Sequence, residues 1–334
     1  MAISMPDANA PRCSTVARVR VVASAVAVVM IGVGAGTAGK SGPPRLDDLH
    51  WLGTHNSYHV RPDRAITPGE EADYAHPPLD VQLSKQGIRS LELDTWNAPD
   101  FPVFHSLIVD TGSTCPTLED CFRTVDRWSD AHPKAQTLVL FVEGKVLPIN
   151  ANPAAQGAID AAAAEQGITN WDAAGFDRLD ALVRRVFARK LIVPDDVRGK
   201  LSTLRDAVVH DGWPTVTQGR GKVLVTLIGR PEELELYRAN APTLQHRAMF
   251  TNAKPTDPSA AVISRDVPDA KAGIRALVRN HFIVKTRADA DGIEARANDH
   301  TRAEAALRSG AQIIVTDYPV PDPTIGPYTV SLNP

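Results

Sequence analysis

The chain has 334 residues, of which 43% are hydrophobic and 22% are charged, and its formal net charge is -3 at pH 7. This composition is typical of a globular protein and excludes a wholly disordered chain. The small negative charge excludes a global basic field that would attract nucleic acid, so we expect no nucleic-acid partner.

The amino terminus has the pattern of a secretory signal peptide. Arg18 and Arg20 precede an uncharged apolar run over residues 21–33, and small residues follow it as far as Ala38. The run is shorter than the roughly 20 apolar residues that a membrane span requires. We therefore predict a signal peptide over residues 1–38 and a secreted protein, with a membrane anchor as the alternative.

After this segment, eight apolar, β-rich runs alternate with helical patterns such as Thr117–Ala131 and Thr301–Ser309. This alternation and spacing predict the α/β class and a TIM-type (β/α)₈ barrel, in one catalytic domain over residues 39–334. The predicted strands are His50–Gly53, Ser90–Asp94, Val103–His105, Thr137–Glu143, Lys222–Ile228, Ala248–Thr251, Phe282–Thr286 and Ile313–Thr316.

The number and positions of the cysteines are consistent with a secreted protein. Cys13 lies ahead of the apolar run and would be removed with the signal peptide, which leaves Cys115 and Cys121. An even number of cysteines in a secreted chain predicts a disulfide between the two.

Polar side chains follow several of the predicted strands, and strand carboxyl ends form the active site of a TIM-type barrel. Alternate residues of a strand share a face, so Glu92 and Asp94 point the same way, as do Glu143 and Lys145. Three carboxylates in one barrel mouth repel each other unless a cation lies between them. The predicted ligands offer only oxygen, which favours calcium, and they are Asn56, Glu92, Asp94 and Glu143.

The ordered set of motifs resembles calcium-dependent phosphoinositide-specific phospholipase C, in its compact bacterial form. The motifs are Gly53-Thr54-His55-Asn56-Ser57, Leu91-Glu92-Leu93-Asp94, Phe104-His105, Glu143-Gly144-Lys145 and the late Thr316-Asp317-Tyr318-Pro319. The resemblance implies a PLC-like phosphodiesterase barrel that binds Ca²⁺ and acts transiently on a phosphatidylinositol-type lipid at a membrane surface. No protein partner is evident from the sequence.

The resemblance also implies residue roles. His55 would hydrogen-bond the phosphoryl oxygen, and His105 would protonate the departing diacylglycerol oxygen. Lys145 matches a contact to the substrate phosphate, although it is equally compatible with a plain ion pair to a site carboxylate. Arg287 is a candidate contact on the inositol side.

The chemistry is coherent with these roles. The inositol 2-hydroxyl lies beside the phosphodiester, so its attack is intramolecular, and a liganding carboxylate, Glu92 or Glu143, can accept its proton. The predicted products are diacylglycerol and a cyclic inositol phosphate.

Three alternatives remain. A metal-independent phospholipase C places arginine in an Asp-x-Arg pattern, whereas Asp94 is followed by Thr95 and Trp96. The second alternative is another PLC-like phosphodiesterase, of the glycerophosphodiester or sphingolipid type. Enzymes of the glycerophosphodiester type begin with a His-Arg-Gly motif, whereas Asn56 follows His55 in this chain. A catalytically inactive barrel that binds a lipid head group is the third, and it would have no need of both histidines.

Overall fold

A computed structural model of the chain describes residues 42–63, 70–269 and 273–332. The predicted signal peptide, residues 1–38, lies outside these described residues. Within them, no helix combines the length and the apolar composition needed to cross a membrane.

Nine strands form one parallel sheet within the described residues. Their apolar, β-branched runs are buried along almost their whole length, as expected of parallel strands that are covered on both faces. The strands are β1 (Trp51–Thr54), β2 (Ser90–Thr95), β3 (Leu138–Gly144), β4 (Leu191–Ile192), β5 (Val223–Ile228), β6 (Phe250–Thr251), β7 (Val262–Ser264), β8 (Ile283–Arg287) and β9 (Ile313–Thr316).

Eight of these strands close into a ring. The sheet runs in the order β7-β8-β9-β1-β2-β3-β5, and β6 joins the later half of β5. In the described part of the chain, one parallel bridge between Asn252 and Val262 connects the end of β6 to the start of β7. The short β4 lies outside the ring and pairs with the first two residues of β5. This topology confirms the TIM-type barrel.

Seven of the eight predicted strands are present, and the prediction for Val103–His105 is wrong. This segment is irregular backbone that folds back on the carboxyl end of β2, where Phe104 stacks on Trp96 with ring centroids 5.5 Å apart. Its apolar residues are buried by loop packing and not by a sheet. The remaining place in the ring belongs to β7, for which no strand was predicted.

Eleven helices of the described chain surround the strands. The two longest, Leu118–Ala131 and Ala173–Phe187, are amphipathic. The first begins where its sequence predicts, because the Thr117 hydroxyl accepts a hydrogen bond from the Asp120 backbone N–H at 3.2 Å. The helices are α1 (Leu79–Lys85), α2 (Leu118–Ala131), α3 (Pro153–Glu165), α4 (Ala173–Phe187), α5 (Pro194–Arg198), α6 (Leu204–His210), α7 (Val216–Gly219), α8 (Pro231–Arg238), α9 (Ile274–Arg279), α10 (Ile293–Ala297) and α11 (Thr301–Ser309).

The predicted disulfide between Cys115 and Cys121 is present and ties the start of α2 to the long loop that precedes it. The same loop is held to the segment after β1, because the Thr114 N–H donates to the Tyr58 carbonyl at 2.8 Å. These restraints fix the backbone of the loop that carries His105.

Candidate active site

Three carboxylates converge at the mouth of the barrel. Asp94 on β2 and Glu143 on β3 are register partners, and Glu92 lies two residues before Asp94 on the same face. One oxygen of each carboxylate lies within 4.8 Å of the others. The spacing that the sequence shows on β2 and β3 thus produces a compact acidic cluster.

Asn56 lies in the turn that follows β1, next to Ser57, whose backbone N–H donates to the Glu92 carbonyl at 2.8 Å. The Asn56 backbone has φ of 41°, a left-handed conformation that asparagine tolerates better than most residues. Its side chain is buried, and Asn56 Oδ1 accepts no hydrogen bond of normal geometry from the described residues; the same is true of Asp94 Oδ1. Buried oxygens without a donor suit a cation, because an unsatisfied buried acceptor is costly. The residues present therefore fit a calcium ion.

Two lysines balance part of the negative charge. Lys145 Nζ lies 3.1 Å from Asp94 Oδ2 and 3.3 Å from Glu143 Oε1. Lys285, on β8 across the barrel, is buried and places its Nζ 2.5 Å from Glu92 Oε2. Lys285 was not among the predicted site residues; its one sequence signal is a lysine that directly follows the apolar residues Ile283 and Val284 within a strand.

The carboxylates Glu92 and Glu143 differ in the direction of their pKa shifts. Burial raises the pKa of Glu92, but the charge and hydrogen bond of Lys285, together with the nearby charges of His55 and Arg287, outweigh burial and hold that pKa below its usual value. Burial and the neighbouring Asp94 charge raise the pKa of Glu143. Glu143 is consequently the more basic of the two and the better proton acceptor.

His55 follows β1 and faces the carboxylates. Its Nδ1 lies 3.0 Å from Asp317 Oδ1, and its Nε2 points toward Glu92 at 3.9 Å from Oε1. Burial lowers the pKa of His55, but the charge and hydrogen bond of Asp317, together with the Glu92 charge, outweigh burial, so the pKa is raised. Asp317 also pairs with Arg287 at 3.1 Å. Burial raises the pKa of Asp317, but the charges of His55 and Arg287 and the hydrogen bond with His55 lower it to about 2. Asp317 therefore orients His55, a role that the late sequence motif did not reveal.

His76 is a buried histidine in the loop that precedes α1. Its Nε2 lies 3.0 Å from the His55 carbonyl oxygen. Burial lowers the pKa of His76 to about 4, so the ring is neutral at physiological pH and its Nε2–H can donate to that carbonyl. It supports the backbone of His55.

His105 lies in the loop between β2 and α2 and not at a strand end, which corrects the prediction. Its Nδ1 is 3.1 Å from Asp110 Oδ2, and His59 Nε2 is 3.0 Å from the same oxygen. Burial, and then the charges of Asp94 and Asp110, raise the pKa of the buried Tyr58. His105 thus has a carboxylate partner of its own, as His55 has.

The Asp110 carboxylate should stabilise the fold in a pH-dependent way. Burial raises its pKa, but hydrogen bonds from His105 and His59 lower it to about 2, against about 3.9 in an unfolded chain. A lowered folded pKa stabilises above the unfolded value and is lost as the pH falls through the folded one. We expect Asp110→Asn to lower the free energy of unfolding by about 2 kcal/mol at pH 7.

Urea denaturation of both proteins between pH 7 and pH 2 tests this expectation. The difference between wild type and variant should shrink as the pH falls below about 4 and towards 2. A difference that stays constant over this range would contradict the ionic origin of the effect.

A cavity of about 530 Å³ opens over the cluster. Arg287, predicted as an inositol-side contact, lies in its wall beside His55. The charged side chains that line the cavity are His55, Glu92, Glu143, Lys145, Arg230, Asp266, Lys285 and Arg287.

Comparison with known proteins gives a family match. The model of the family described as phosphoinositide phospholipase C, Ca²⁺-dependent, matches residues 94–334. No curated protein matches the chain. The matched segment begins at Asp94 and so includes His105, Glu143, Lys145 and Arg287, whereas His55, Asn56 and Glu92 precede it.

Solved structures share the fold. A calcium-dependent phosphoinositol-specific phospholipase C from a Pseudomonas species is 17% identical, with 82% of this chain and 91% of that chain covered and a TM-score of 0.55. A Ca²⁺-dependent phosphatidylinositol-specific phospholipase C from Streptomyces antibioticus is 18% identical, with 84% and 97% covered and a TM-score of 0.56. At these identities the likeness concerns the architecture of the barrel.

Proposed function

The chain belongs to the calcium-dependent phosphoinositide phospholipase C family, a family of phosphoric diester hydrolases, and from this premise we propose that it is an exported enzyme that cleaves phosphatidylinositol. In the proposed reaction the inositol 2-hydroxyl attacks the phosphodiester, which gives diacylglycerol and a cyclic inositol phosphate. The observation that carries the proposal is the convergence of three carboxylates within 4.8 Å beside the His55–Asp317 pair.

The proposed calcium ligands are Asn56, Glu92, Asp94 and Glu143. Asn56 and Asp94 each offer a buried oxygen that accepts no hydrogen bond of normal geometry from the described residues, and Glu92 offers the oxygen that Lys285 does not hold. Bound calcium would lower the pKa of the inositol 2-hydroxyl and offset negative charge in the transition state.

The protein side chains supply the proton transfers. We assign the acceptance of the 2-hydroxyl proton to Glu143, because its side chain is 33% exposed in the cavity, whereas that of Glu92 is 4% exposed and bonds Lys285. His55, held by Asp317, hydrogen-bonds the phosphoryl oxygen as its charge grows. His105, held by Asp110, donates a proton to the diacylglycerol oxygen as the bond to phosphorus breaks.

Contact with the lipid surface is proposed to be shallow and transient. Seven of the eight large hydrophobic side chains that are exposed in the described residues lie on segments that follow strand carboxyl ends, the ends at which the cavity opens. Aliphatic side chains at this rim favour contact with the acyl boundary of a membrane. They are Val60, Ile108, Val109, Ile149, Val267, Ile293 and Val320.

A hydrolysis assay on phosphatidylinositol vesicles, with and without a calcium chelator, tests the proposed function. We expect diacylglycerol to be released in calcium and release to stop on chelation, then return when calcium is restored. A rate untouched by chelation would remove the metal from the mechanism.

The same assay separates the alternatives. Hydrolysis of glycerophosphodiesters or sphingolipids in preference to phosphatidylinositol would indicate another phosphodiesterase. Calcium binding without hydrolysis of any of these substrates would indicate a barrel that only binds the head group.

A further inference from the structure

We propose that Lys145 is a mobile counterion that competes with calcium for Asp94 and Glu143 and that, once calcium binds, turns its ammonium group toward the substrate phosphate. The inference rests on the proposed function, because it takes the acidic cluster to be the calcium site. It assigns to one side chain both alternatives that the sequence leaves open, an ion pair and a phosphate contact.

Shared oxygens are the first argument. Lys145 Nζ lies 3.1 Å from Asp94 Oδ2 and 3.3 Å from Glu143 Oε1, and both carboxylates belong to the cluster whose oxygens are within 4.8 Å of each other. An ammonium group and a dication cannot both take the space among these oxygens. Calcium binding at the cluster therefore requires Lys145 Nζ to move.

The second argument is that only the side chain of Lys145 is free to move. Its backbone N–H donates to the Thr95 carbonyl at 2.8 Å, and its carbonyl accepts a hydrogen bond from Trp171 Nε1 at 2.8 Å. The side chain lines the cavity and is 18% exposed. A pinned backbone and a flexible four-carbon chain allow the ammonium group to swing into the cavity without rearrangement of the barrel.

Lys285, unlike Lys145, is fixed in place, so it remains a counterion of the carboxylates when calcium binds. It is 4% exposed, bonds Glu92, and lies with its Nζ 4.9 Å from the centre of the Phe141 ring, so it cannot leave the barrel interior. Three ionised carboxylates carry three negative charges, and a dication together with Lys285 balances all three. The charge of Lys145 is then surplus at the cluster and available to the phosphodiester, which is an anion in the same cavity.

Calcium titration of chelator-treated protein by calorimetry, with wild type and Lys145→Met, tests the competition. Methionine keeps the length of the chain and removes the charge. We expect the Kd for calcium to fall about tenfold or more, because no ammonium has to be displaced and no like charge remains near the ion. The rise in Tm on adding calcium should be larger in the variant than in wild type.

Catalytic efficiency should fall in Lys145→Met although its affinity for calcium rises. In Lys145→Met the calcium concentration for half-maximal rate should fall, while kcat/KM at saturating calcium should also fall because the phosphate contact is gone. A merely structural ion pair would instead weaken calcium binding and catalysis together. Lys145→Arg keeps the charge and should keep a calcium affinity close to that of wild type.

Lys190→Met is the matched control. Lys190 also bonds two carboxylates, Asp126 and Asp130, but on the surface near α2 and away from the cavity, so its loss should leave the calcium Kd unchanged. Unchanged or weaker calcium binding in both Lys145→Met and Lys145→Gln would overturn the inference alone. Absence of calcium binding in wild type would overturn the metal site of the proposed function as well.

Discussion

Replacing His105 with alanine is expected to lower kcat for phosphatidylinositol by about 10²–10⁴-fold, the usual contribution of a general acid. The ring is the proposed proton donor to the diacylglycerol oxygen, and Asp110 holds its Nδ1 at 3.1 Å. The variant loses none of the proposed calcium ligands, so calorimetry should show calcium binding close to that of wild type. Steady-state kinetics on vesicles measures the loss.

The control for this variant is His50→Ala. His50 is exposed and directly precedes β1, at the opposite end of the barrel from His55, so its kcat should equal that of wild type. A His105→Ala enzyme with the same kcat as wild type would assign the acid to another group. A substrate with a leaving group that needs no proton should restore much of the rate to the variant, because only the departure step is impaired.

Asp317→Asn should lower kcat by about 10²-fold or more, because the carboxylate orients His55 and favours its charged form. The change keeps the shape of the side chain but removes the charge that faces His55 Nδ1 at 3.0 Å and Arg287 at 3.1 Å. It also leaves Arg287 without this carboxylate, so some loss of stability should accompany the loss of rate.

The pH profile distinguishes an orienting role from general destabilisation. Asp317 raises the pKa of His55 against the lowering effect of burial, and the protonated ring is the form that stabilises phosphoryl charge. The rate should decline as the pH rises through the pKa of His55, and in Asp317→Asn this decline should occur at lower pH. Asp322→Asn, which removes a carboxylate that pairs with Arg61, is the control and should leave the profile in place. An unshifted profile in Asp317→Asn would show that the carboxylate acts only on stability.

The barrel and the acidic cluster could be predicted from the sequence because both depend on local patterns. The buried runs of parallel strands are continuous and apolar, and the two-residue spacing of Glu92 and Asp94 sets a common face. Strand carboxyl ends meet at one mouth in a TIM-type barrel, so the order of motifs along the chain was enough to predict that Glu143 lies close to Glu92 and Asp94.

Contacts between distant parts of the chain could not be predicted in this way. Lys285 is 193 residues from Glu92 and Asp317 is 262 residues from His55, so neither pairing leaves a local pattern. A lysine within a strand is normally a surface residue, and only the closed ring turns Lys285 inward. The strand prediction for Val103–His105 was wrong because an apolar run reveals burial and not the neighbour that buries it.

The two proposed chemical tasks are carried by different kinds of structure. The side chains for attack stand on or directly beside barrel strands, whose register is shared by every neighbouring strand. The side chain for departure stands on a loop that the disulfide and a few backbone bonds restrain. Insertions or deletions in that loop would therefore change the preference for the leaving group and leave the geometry of the proposed calcium site unchanged. Specificity for the lipid moiety and specificity for the head group can consequently evolve independently.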